Sequence, residues 1–184
     1  MRVIGGTFKG RRLVAPAGRA IRPTADRIKE SVFNILSGNI RNRRVLDLFA
    51  GTGALGIEAI SRGAAFALFV DQATSALEAI GHNIRNLGLD VQTRVIHGNI
   101  LNGLNCLSSV PQAFDLVFLD PPYATHAVAP ALANLVASGS LGPGACIVIE
   151  HSTREPIDPP VDTLSLVDRR RYGKTLVSFM KPML

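Results

Sequence analysis

A glycine-rich stretch separates a strand pattern from a helix pattern in this sequence: Asp47-Leu-Phe-Ala-Gly51-Thr-Gly53-Ala-Leu-Gly56. Its glycines have the spacing G-x-G-x-x-G, which allows a tight turn, a close approach of the backbone to a ligand and close packing of the next helix on the strand. The stretch therefore predicts the first strand–loop–helix unit of an α/β fold, with a nucleotide-like ligand at the loop.

The chain on either side of this loop continues the alternation of strands and helices. Apolar runs with strand or helix periodicity are separated by glycines and prolines. We predict strands over 44–49, 67–70, 92–96, 114–119, 145–150, 163–169 and 175–180, and helices over 54–61, 74–87 and 127–137. Because strand–helix–strand units are right-handed and build parallel sheets, the pattern predicts a Rossmann-like α/β fold. Its seven-stranded, mostly parallel sheet is flanked by helices and ends in an antiparallel pair.

Basic residues are concentrated at the N-terminus. Residues 1–44 contain 11 of the 20 lysines and arginines and only two acids, a local charge of +9, whereas residues 45–184 carry a charge of −3. Two short β-like runs predict a hairpin or an extended arm, and a helix follows with Thr24 as its N-cap and Gly38 as its stop. The charge predicts a surface for nucleic acid; a solvated basic tail is the alternative.

Length and composition restrict the class of protein. A chain of 184 residues is the size of one domain, and a hydrophobic content of 47% excludes intrinsic disorder. We find no apolar run long enough to span a membrane, no secretory signal, and no metal-ligand spacing around the two cysteines. We therefore expect a single cytoplasmic domain without a metal, with a basic extension at 1–43 and a ligand-binding core at 44–184.

Polar side chains lie near the carboxyl end of the first predicted strand and directly after the second and third. Asp71 has the spacing expected of a carboxylate that binds ribose hydroxyls, and Asn99 would meet an adenine edge. Asp47 lies where a dinucleotide would place its pyrophosphate, and a negative charge disfavours that ligand. A cationic ligand reverses the argument, so the pattern favours S-adenosylmethionine, which carries an ammonium and a sulfonium group. The alternatives are that Asp47 only caps the loop and that Asn99 is only a turn residue.

The fourth predicted strand ends in Asp120-Pro121-Pro122-Tyr123. Two prolines fix φ and remove backbone donors, so this loop is rigid and presents carbonyl oxygens. We predict that Asp120 and the Pro121 carbonyl accept hydrogen bonds from an NH2 group on a flat ring, and that Tyr123 stacks on the ring. A stiff turn that closes a buried strand is the structural alternative.

Several segments together carry a family resemblance. Residues 47–62 and 120–123 resemble class I S-adenosylmethionine-dependent methyltransferases that modify exocyclic amines. The N-terminal segments resemble the RsmD family of 16S ribosomal RNA guanine-N2 methyltransferases: Arg2-Val-Ile-Gly-Gly6, Gly10-Arg-Arg-Leu13 and Ile21-Arg-Pro-Thr-Ala-Asp-Arg-Ile-Lys-Glu30. The resemblance extends from Arg2 to Tyr172-Gly-Lys-Thr175. Because adenine-N6 and glutamine methyltransferases share Asp-Pro-Pro-Tyr, the assignment of the substrate depends on the N-terminal segments.

The resemblance implies a class I methyltransferase fold and a role for each matching residue. The methyl donor S-adenosylmethionine would be bound by Asp47, Ala50, Gly51, Gly53, Asp71 and Asn99. The amine of the target guanine would be held by the catalytic residues Asp120, Pro121, Pro122 and Tyr123. The RNA would be contacted by Arg2, Lys9, Arg11, Arg12, Arg22, Thr24 and Arg27. Asp71 stands where the family often has glutamate, a one-methylene change that should retain ribose binding.

The resemblance also implies the reaction and the partner. The sulfonium methyl group would pass directly to guanine N2, without a metal. The partner of this monomer would be 16S ribosomal RNA, free, in the 30S subunit or in an assembly intermediate. Three alternatives are open at this point: adenine-N6 methylation of DNA or RNA, an NAD-dependent dehydrogenase suggested by the glycine loop, and a non-catalytic RNA-binding protein suggested by the basic extension.

Overall fold

The structure is a computed structural model that describes residues 1–16, 23–110, 112–122, 125–155, 157 and 163–183, with the backbone alone at residues 23–25. Its α-helices and β-strands follow one another along the chain as α1 (Pro23–Ile35), β1 (Arg44–Leu48), α2 (Ala54–Ser61), β2 (Phe66–Asp71), α3 (Thr74–Leu87), β3 (Thr93–His97), β4 (Phe114–Leu119), α4 (Val128–Ala137), β5 (Leu141–Ser152), β6 (Leu164–Tyr172) and β7 (Thr175–Pro182).

These strands form one sheet in the order β3-β2-β1-β4-β5-β7-β6. Neighbouring strands from β3 to β5 are parallel, and β7 is antiparallel to both β5 and β6. The chain passes from β1 outward to β2 and β3, and then returns to the other side of β1 as β4. The crevice between the carboxyl ends of β1 and β4 is therefore the topological switch point, where ligands bind in open α/β sheets.

Helices cover both faces of the sheet because its central strands are buried on both sides. On one face, a core that includes Phe33, Ile57 and Ile80 joins α1, α2 and α3 to the strands. On the other face, α4 packs through Leu132 and Leu135. The central strands are thereby held rigidly, and their carboxyl ends are left as the edge where side chains meet a ligand.

The predicted α/β fold class is confirmed. The elements α2, α3 and β4 have the predicted bounds, and β6 and β7 form the predicted antiparallel pair. The predicted bounds of the other strands and of α4 differ from the observed ones by up to four residues. Two departures have a clear physical reason. Helix α1 begins at Pro23, so Thr24 lies in its first turn and is not the N-cap; the first helical position suits proline because its missing amide hydrogen would have no partner there. Strand β1 ends at Leu48 because Phe49 has a left-handed backbone.

Residues 1–14 form a hairpin-like unit, here called the N-terminal hairpin. Arg2 and Arg12 pair as an antiparallel bridge. Val3 and Leu13 are buried in the same core as α1 and α2. Of the predicted alternatives the hairpin is therefore observed, packed on the core and not a solvated tail. Among the described residues, no helix is both long and apolar enough to cross a membrane.

Candidate active site

Three carboxylates surround the crevice between β1 and β4. Asp47 lies in β1, Asp71 ends β2, and Asp120 follows β4 directly. Leu48 pairs with the residue before Asp71 on one side and with the residue before Asp120 on the other. Asp71 and Asp120 therefore lie on either side of Phe49, at the same height along the sheet. Since neighbouring strands are about 4.8 Å apart, the backbones of Asp71 and Asp120 lie roughly 10 Å from each other across the end of β1. The structure thus brings together residues that are 73 positions apart in sequence, from 47 to 120.

Phe49 gives this crevice its shape. Its φ of 59° lies in the left-handed region, which bulky side chains rarely adopt. The chain therefore turns away from the sheet one position after Leu48, while β2 continues to Asp71. Backbone strain of this kind clusters at ligand-binding sites because the surrounding structure must hold it in place.

The environment of Asp47 favours a cationic ligand. This side chain is 1% exposed, and its Oδ2 accepts a hydrogen bond from the Gly56 amide at 2.9 Å. Burial raises the pKa of the Asp47 carboxyl well above its usual range; the hydrogen bond from Gly56 opposes this, and the charges of Asp120 and Asp71 add to it. A cation in the crevice would relieve the repulsion among three carboxylates, whereas a pyrophosphate would increase it. The donor set therefore fits S-adenosylmethionine.

Asp71 and Asn99 follow neighbouring strands but differ in their surroundings. The two carboxylate oxygens of Asp71 accept hydrogen bonds from the amides of Gly51 and Ala73, each at 2.9 Å, which fixes the carboxylate at the end of β2. Each oxygen keeps a second lone pair for a ribose hydroxyl. Asn99 is exposed, and its Oδ1 accepts from the Leu101 amide at 3.0 Å as the cap of a short 3-10 turn. Asn99 thus has a turn role, and its contact with adenine stays a prediction.

The glycine-rich loop brings α2 unusually close to the sheet. The Ala50 carbonyl accepts from the Gly53 amide at 2.7 Å, and Gly53, with φ 72°, caps the helix. At Gly56, a Cβ atom would lie 2.4 Å from the ring of Phe69 in β2. Only glycine allows this approach, so the loop and the start of α2 lie directly against the crevice.

The loop after β4 contains the predicted amine-binding residues. Asp120 is half-buried, Pro121 is buried and Pro122 is exposed. The Pro122 carbonyl accepts from the Thr125 hydroxyl at 2.7 Å, which ties the loop to the residues that follow it. Tyr123, the predicted stacking residue, lies outside the described residues. Asp120 and the Pro121 carbonyl stay the predicted acceptors for an NH2 group.

A buried glutamate, which the sequence analysis missed, anchors the N-terminal hairpin. Glu58 is fully buried in α2, and its carboxylate accepts from the amides of Ile4 and Gly5 at 2.8 Å each. It also forms ion pairs with Lys29 of α1 at 3.2 Å and with Arg62 at 2.9 Å. Burial lowers the pKa of Lys29, and Glu58 opposes that shift. A lone acid in an otherwise apolar helix is the signal that could have identified it.

Asn83, also missed, connects the N-terminal hairpin to the glycine-rich loop. This side chain in α3 is 1% exposed. It accepts from the Val14 amide at 2.8 Å and donates to the carbonyls of Val14 and Thr52 at 3.0 Å each. The Thr52 hydroxyl in turn donates to the sulfur of Met1 at 3.6 Å. Both ends of the hairpin are thereby held against the loop that would bind the donor.

The predicted RNA-binding side chains that the structure describes are exposed: Arg2, Lys9, Arg11, Arg12 and Arg27. Arg22 and the side chain of Thr24 lie outside the described part. Arg2 and Arg12 stand opposite each other in the bridge, where like charges repel unless a polyanion lies between them. A cleft of about 540 Å³ between the hairpin and α1 is lined by Arg2, Val3, Ile4, Lys9, Gly10, Asp26, Arg27 and Glu30.

Known proteins resemble this chain over most of its length. A family model described as "Conserved hypothetical protein 95" matches residues 1–181. The Bacillus subtilis protein YlbH is 36% identical over 181 residues, which make up 98% of each chain. The Haemophilus influenzae protein named Ribosomal RNA small subunit methyltransferase D is 35% identical over 161 residues, 87% of this chain and 83% of the relative. This protein belongs to the RsmD family.

The RsmD-family chain also matches a solved structure. The Escherichia coli protein yhhF superposes with a TM-score of 0.85 at 30% identity, over 99% of this chain and 97% of that one. The class I methyltransferase fold and the methyltransferase activity are thereby confirmed. The assignment of S-adenosylmethionine as the methyl donor belongs to the proposal below. The dehydrogenase and the non-catalytic RNA-binding protein are set aside. The roles of individual site residues stay predictions.

Proposed function

We propose that this enzyme methylates the exocyclic N2 of a guanine in 16S ribosomal RNA. It would act in the cytoplasm as a monomer, on the 30S subunit or on an assembly intermediate. The observation that carries the proposal is the attachment of the basic N-terminal hairpin to the glycine-rich loop through Asn83. A polyanion bound to the hairpin would lie beside the donor site. The name of the Haemophilus influenzae relative supports small-subunit ribosomal RNA as the substrate.

The donor supplies a methyl group bound to a sulfonium centre. Asp47 would hold the cationic end of this molecule, and Asp71 would accept hydrogen bonds from its ribose hydroxyls. The loop from Ala50 to Gly53 would line the methionine side. Asn99, after β3, would contact the adenine. The start of a helix ordinarily favours an anionic ligand, yet this crevice is lined by carboxylates. A cationic donor explains why they are there.

The acceptor is an amine whose lone pair is delocalised into the guanine ring. Asp120 and the Pro121 carbonyl would accept hydrogen bonds from its two N–H groups and turn the lone pair towards the methyl carbon. The bond from N2 to the methyl group would form as the bond from the methyl group to sulfur breaks; S-adenosylhomocysteine would leave, and the methylated amine would release one proton. The rate gain comes from positioning and electrostatics, with the reacting atoms held about 3–3.5 Å apart. The guanine must leave its stack to enter the site, which favours a loop nucleotide.

The deciding experiment supplies radiolabelled methyl donor and three acceptors in parallel: undermethylated 30S subunits, naked 16S RNA and DNA. After digestion, we expect the label in N2-methylguanosine from RNA. Label in N6-methyladenosine would support the adenine alternative and overturn the proposal. A comparison of 30S subunits with naked RNA identifies the form of the substrate.

Asp120→Ala tests the amine-binding role. We expect turnover to fall by about 100-fold or more, as for the loss of one transition-state hydrogen bond, while S-adenosylmethionine binds with unchanged affinity. Calorimetry measures the affinity, and methyl incorporation measures the rate. Asp90→Ala, at an exposed site, is the control. Equal losses of binding and turnover would instead make Asp120 part of the donor site.

A further inference from the structure

We infer that the tip of the β6–β7 hairpin is a second phosphate-contacting surface for the RNA, with Arg171 and Lys174 as its contacts. The inference rests on the proposed function and extends it to a part of the chain that the charge distribution did not single out. Residues 45–184 are mildly acidic as a whole, yet four of their nine lysines and arginines lie within residues 169–174.

Topology puts this tip at the catalytic edge of the sheet. Strand β7 is antiparallel to β5, and β6 is antiparallel to β7, so β6 runs in the same direction as β5 and β4. The end of β6 at Tyr172 and the turn at Gly173 therefore lie at the edge where β4 ends and Asp120 begins the amine-binding loop. A basic turn at the opposite edge could not meet a substrate bound there.

The basic residues of the tip differ in what they contact. Arg169 donates to the Ile157 carbonyl at 2.7 Å, which makes it part of the fold. Arg170 forms an ion pair with Asp168 at 2.8 Å, which partly neutralises it. Arg171 and Lys174 are both exposed. Arg171 donates only its Nε to a carbonyl of the turn in the contacts observed, and its terminal nitrogens suit a phosphate.

The tip is a fixed surface that adjoins α1. The hydroxyl of Tyr172 is hydrogen-bonded to the hydroxyl of Ser31 in α1. The Thr153 amide donates to the Lys174 carbonyl at 3.0 Å, which holds the turn against the end of β5. Ser31 lies four residues after the exposed Arg27, and residues at this spacing share a helix face. Helix α1 thus connects the tip to the basic residues of the N-terminal hairpin.

The two basic surfaces lie on opposite sides of the crevice. The N-terminal hairpin is attached to α2 and α3, which flank β1 and β2, through Glu58 and Asn83. The tip lies beyond β5. An RNA strand that contacts both surfaces would pass over the end of β4. Its phosphates would be repelled there by the carboxylates of the crevice, and the basic residues on both sides would compensate for this repulsion.

The test reverses two charges at the tip with Arg171→Glu/Lys174→Glu. The matched control, Arg94→Glu/Lys181→Glu, makes the same charge change at exposed residues near the start of β3 and the end of β7, at the opposite edge of the sheet. With undermethylated 30S subunits as substrate, we expect the tip variant to raise KM for the subunits tenfold or more relative to the control. Affinity for S-adenosylmethionine should be the same in both variants. With single-stranded 16S RNA fragments, the logarithmic salt slope of binding should fall by about 1.4 for two lost phosphate contacts.

Neutral variants and the wild type separate the possible outcomes. Arg171→Gln/Lys174→Gln should show an intermediate increase in KM, which tests the charge without introducing acids at the tip. If the wild type methylates RNA and the tip variants match the control in KM and salt slope, this inference is overturned and the proposed function stands. If the wild type transfers no methyl group to RNA, the proposed function fails and the inference fails with it.

Discussion

Asp47 is the residue whose environment most directly favours a positively charged ligand. It is buried, and burial together with the charges of Asp120 and Asp71 raises its pKa. A carboxyl group with a raised pKa in the folded state binds its proton more tightly there than in the unfolded chain. Its contribution to stability is therefore present at low pH and lost as the pH rises through the folded-state pKa. A bound cation would remove that cost, which couples donor binding to the ionisation of Asp47.

The substitution Asp47→Asn tests this coupling. We expect the free variant to unfold at a higher urea concentration than the wild type at neutral pH, because the costly charge is gone. We also expect weaker binding of S-adenosylmethionine. Wild-type affinity should fall by up to about tenfold per pH unit as the pH drops below the raised pKa, whereas the affinity of the variant should stay flat. Urea unfolding at neutral pH measures the stability. Titration calorimetry from pH 8 to pH 5 measures the affinity of the wild type and of the variant, and parallel pH profiles of the two affinities would contradict the assignment.

Gly56→Ala tests the close contact between α2 and β2. The new methyl group would overlap the Phe69 ring, so we expect a loss of about 1–3 kcal/mol in the free energy of unfolding. Gly81→Ala in α3 is the matched control, because its Cβ would meet only the mobile end of Arg85 at 3.3 Å. Helix propensity should make that control neutral or stabilising by up to about 1 kcal/mol. Urea unfolding distinguishes the two signs.

At the scale of elements, α2 has two functions. Its first turn lies against the crevice between β1 and β4, and Glu58 in its middle holds the N-terminal hairpin and α1. The hairpin amides are bound by a side chain, without a neighbouring strand of the central sheet. The position of the N-terminal hairpin therefore depends on this buried carboxylate and its partners, together with the hydrogen bonds of Ser61 and Asn83.

Glu58→Gln should loosen this attachment. It leaves the buried Lys29 without its counter-ion, and breaking a buried ion pair typically costs about 3–5 kcal/mol. We expect lower stability and faster hydrogen exchange at the Ile4 and Gly5 amides, measured by exchange mass spectrometry. Glu78→Gln, at an exposed position of α3, should change neither. Unchanged protection of the hairpin amides would show that other contacts hold the hairpin.

At the scale of the whole molecule, charge and shape are distributed around one edge of the sheet. The first 44 residues carry a charge of +9, and the exposed arginines of the N-terminal hairpin contribute to it. The carboxylates of the crevice lie beside this basic surface. Under the proposed function, an anionic RNA substrate and a methyl donor that is cationic at its reactive end would therefore have separate, complementary sites.

The double variant Arg11→Glu/Arg12→Glu tests the hairpin as an RNA surface. We expect weaker binding of 16S RNA and a logarithmic salt slope reduced by about 0.7–1.8, the range for one or two lost phosphate contacts. Arg94→Glu/Lys181→Glu makes the same charge change at exposed residues far from the hairpin in the fold. Filter binding between 50 and 300 mM salt gives the slope. An identical slope in both variants would refute the role of the hairpin.

Local sequence patterns predicted most of the fold. The bounds of α2 and α3 follow from apolar periodicity and from the glycines that end these helices, which are interactions within a few residues. The end of β1 was beyond such reasoning, because the left-handed conformation of Phe49 is imposed by the surrounding loop. The start of α1 at Pro23 has a local cause, the missing amide hydrogen of proline, which the choice of Thr24 as the N-cap overlooked.

The sequence by itself determined the α/β class, the carboxylates at the strand ends and the basic N-terminus, because each is carried by contiguous residues of one strand, loop or segment. The tertiary structure alone decided how these parts meet. Glu58 binds the amide of Ile4 across 54 positions, and Asn83 binds Val14 across 69. The two reversals at β7 and β6 bring the basic turn between these strands to the edge of the sheet where β4 ends. Such contacts depend on chain topology and burial, which local patterns do not contain.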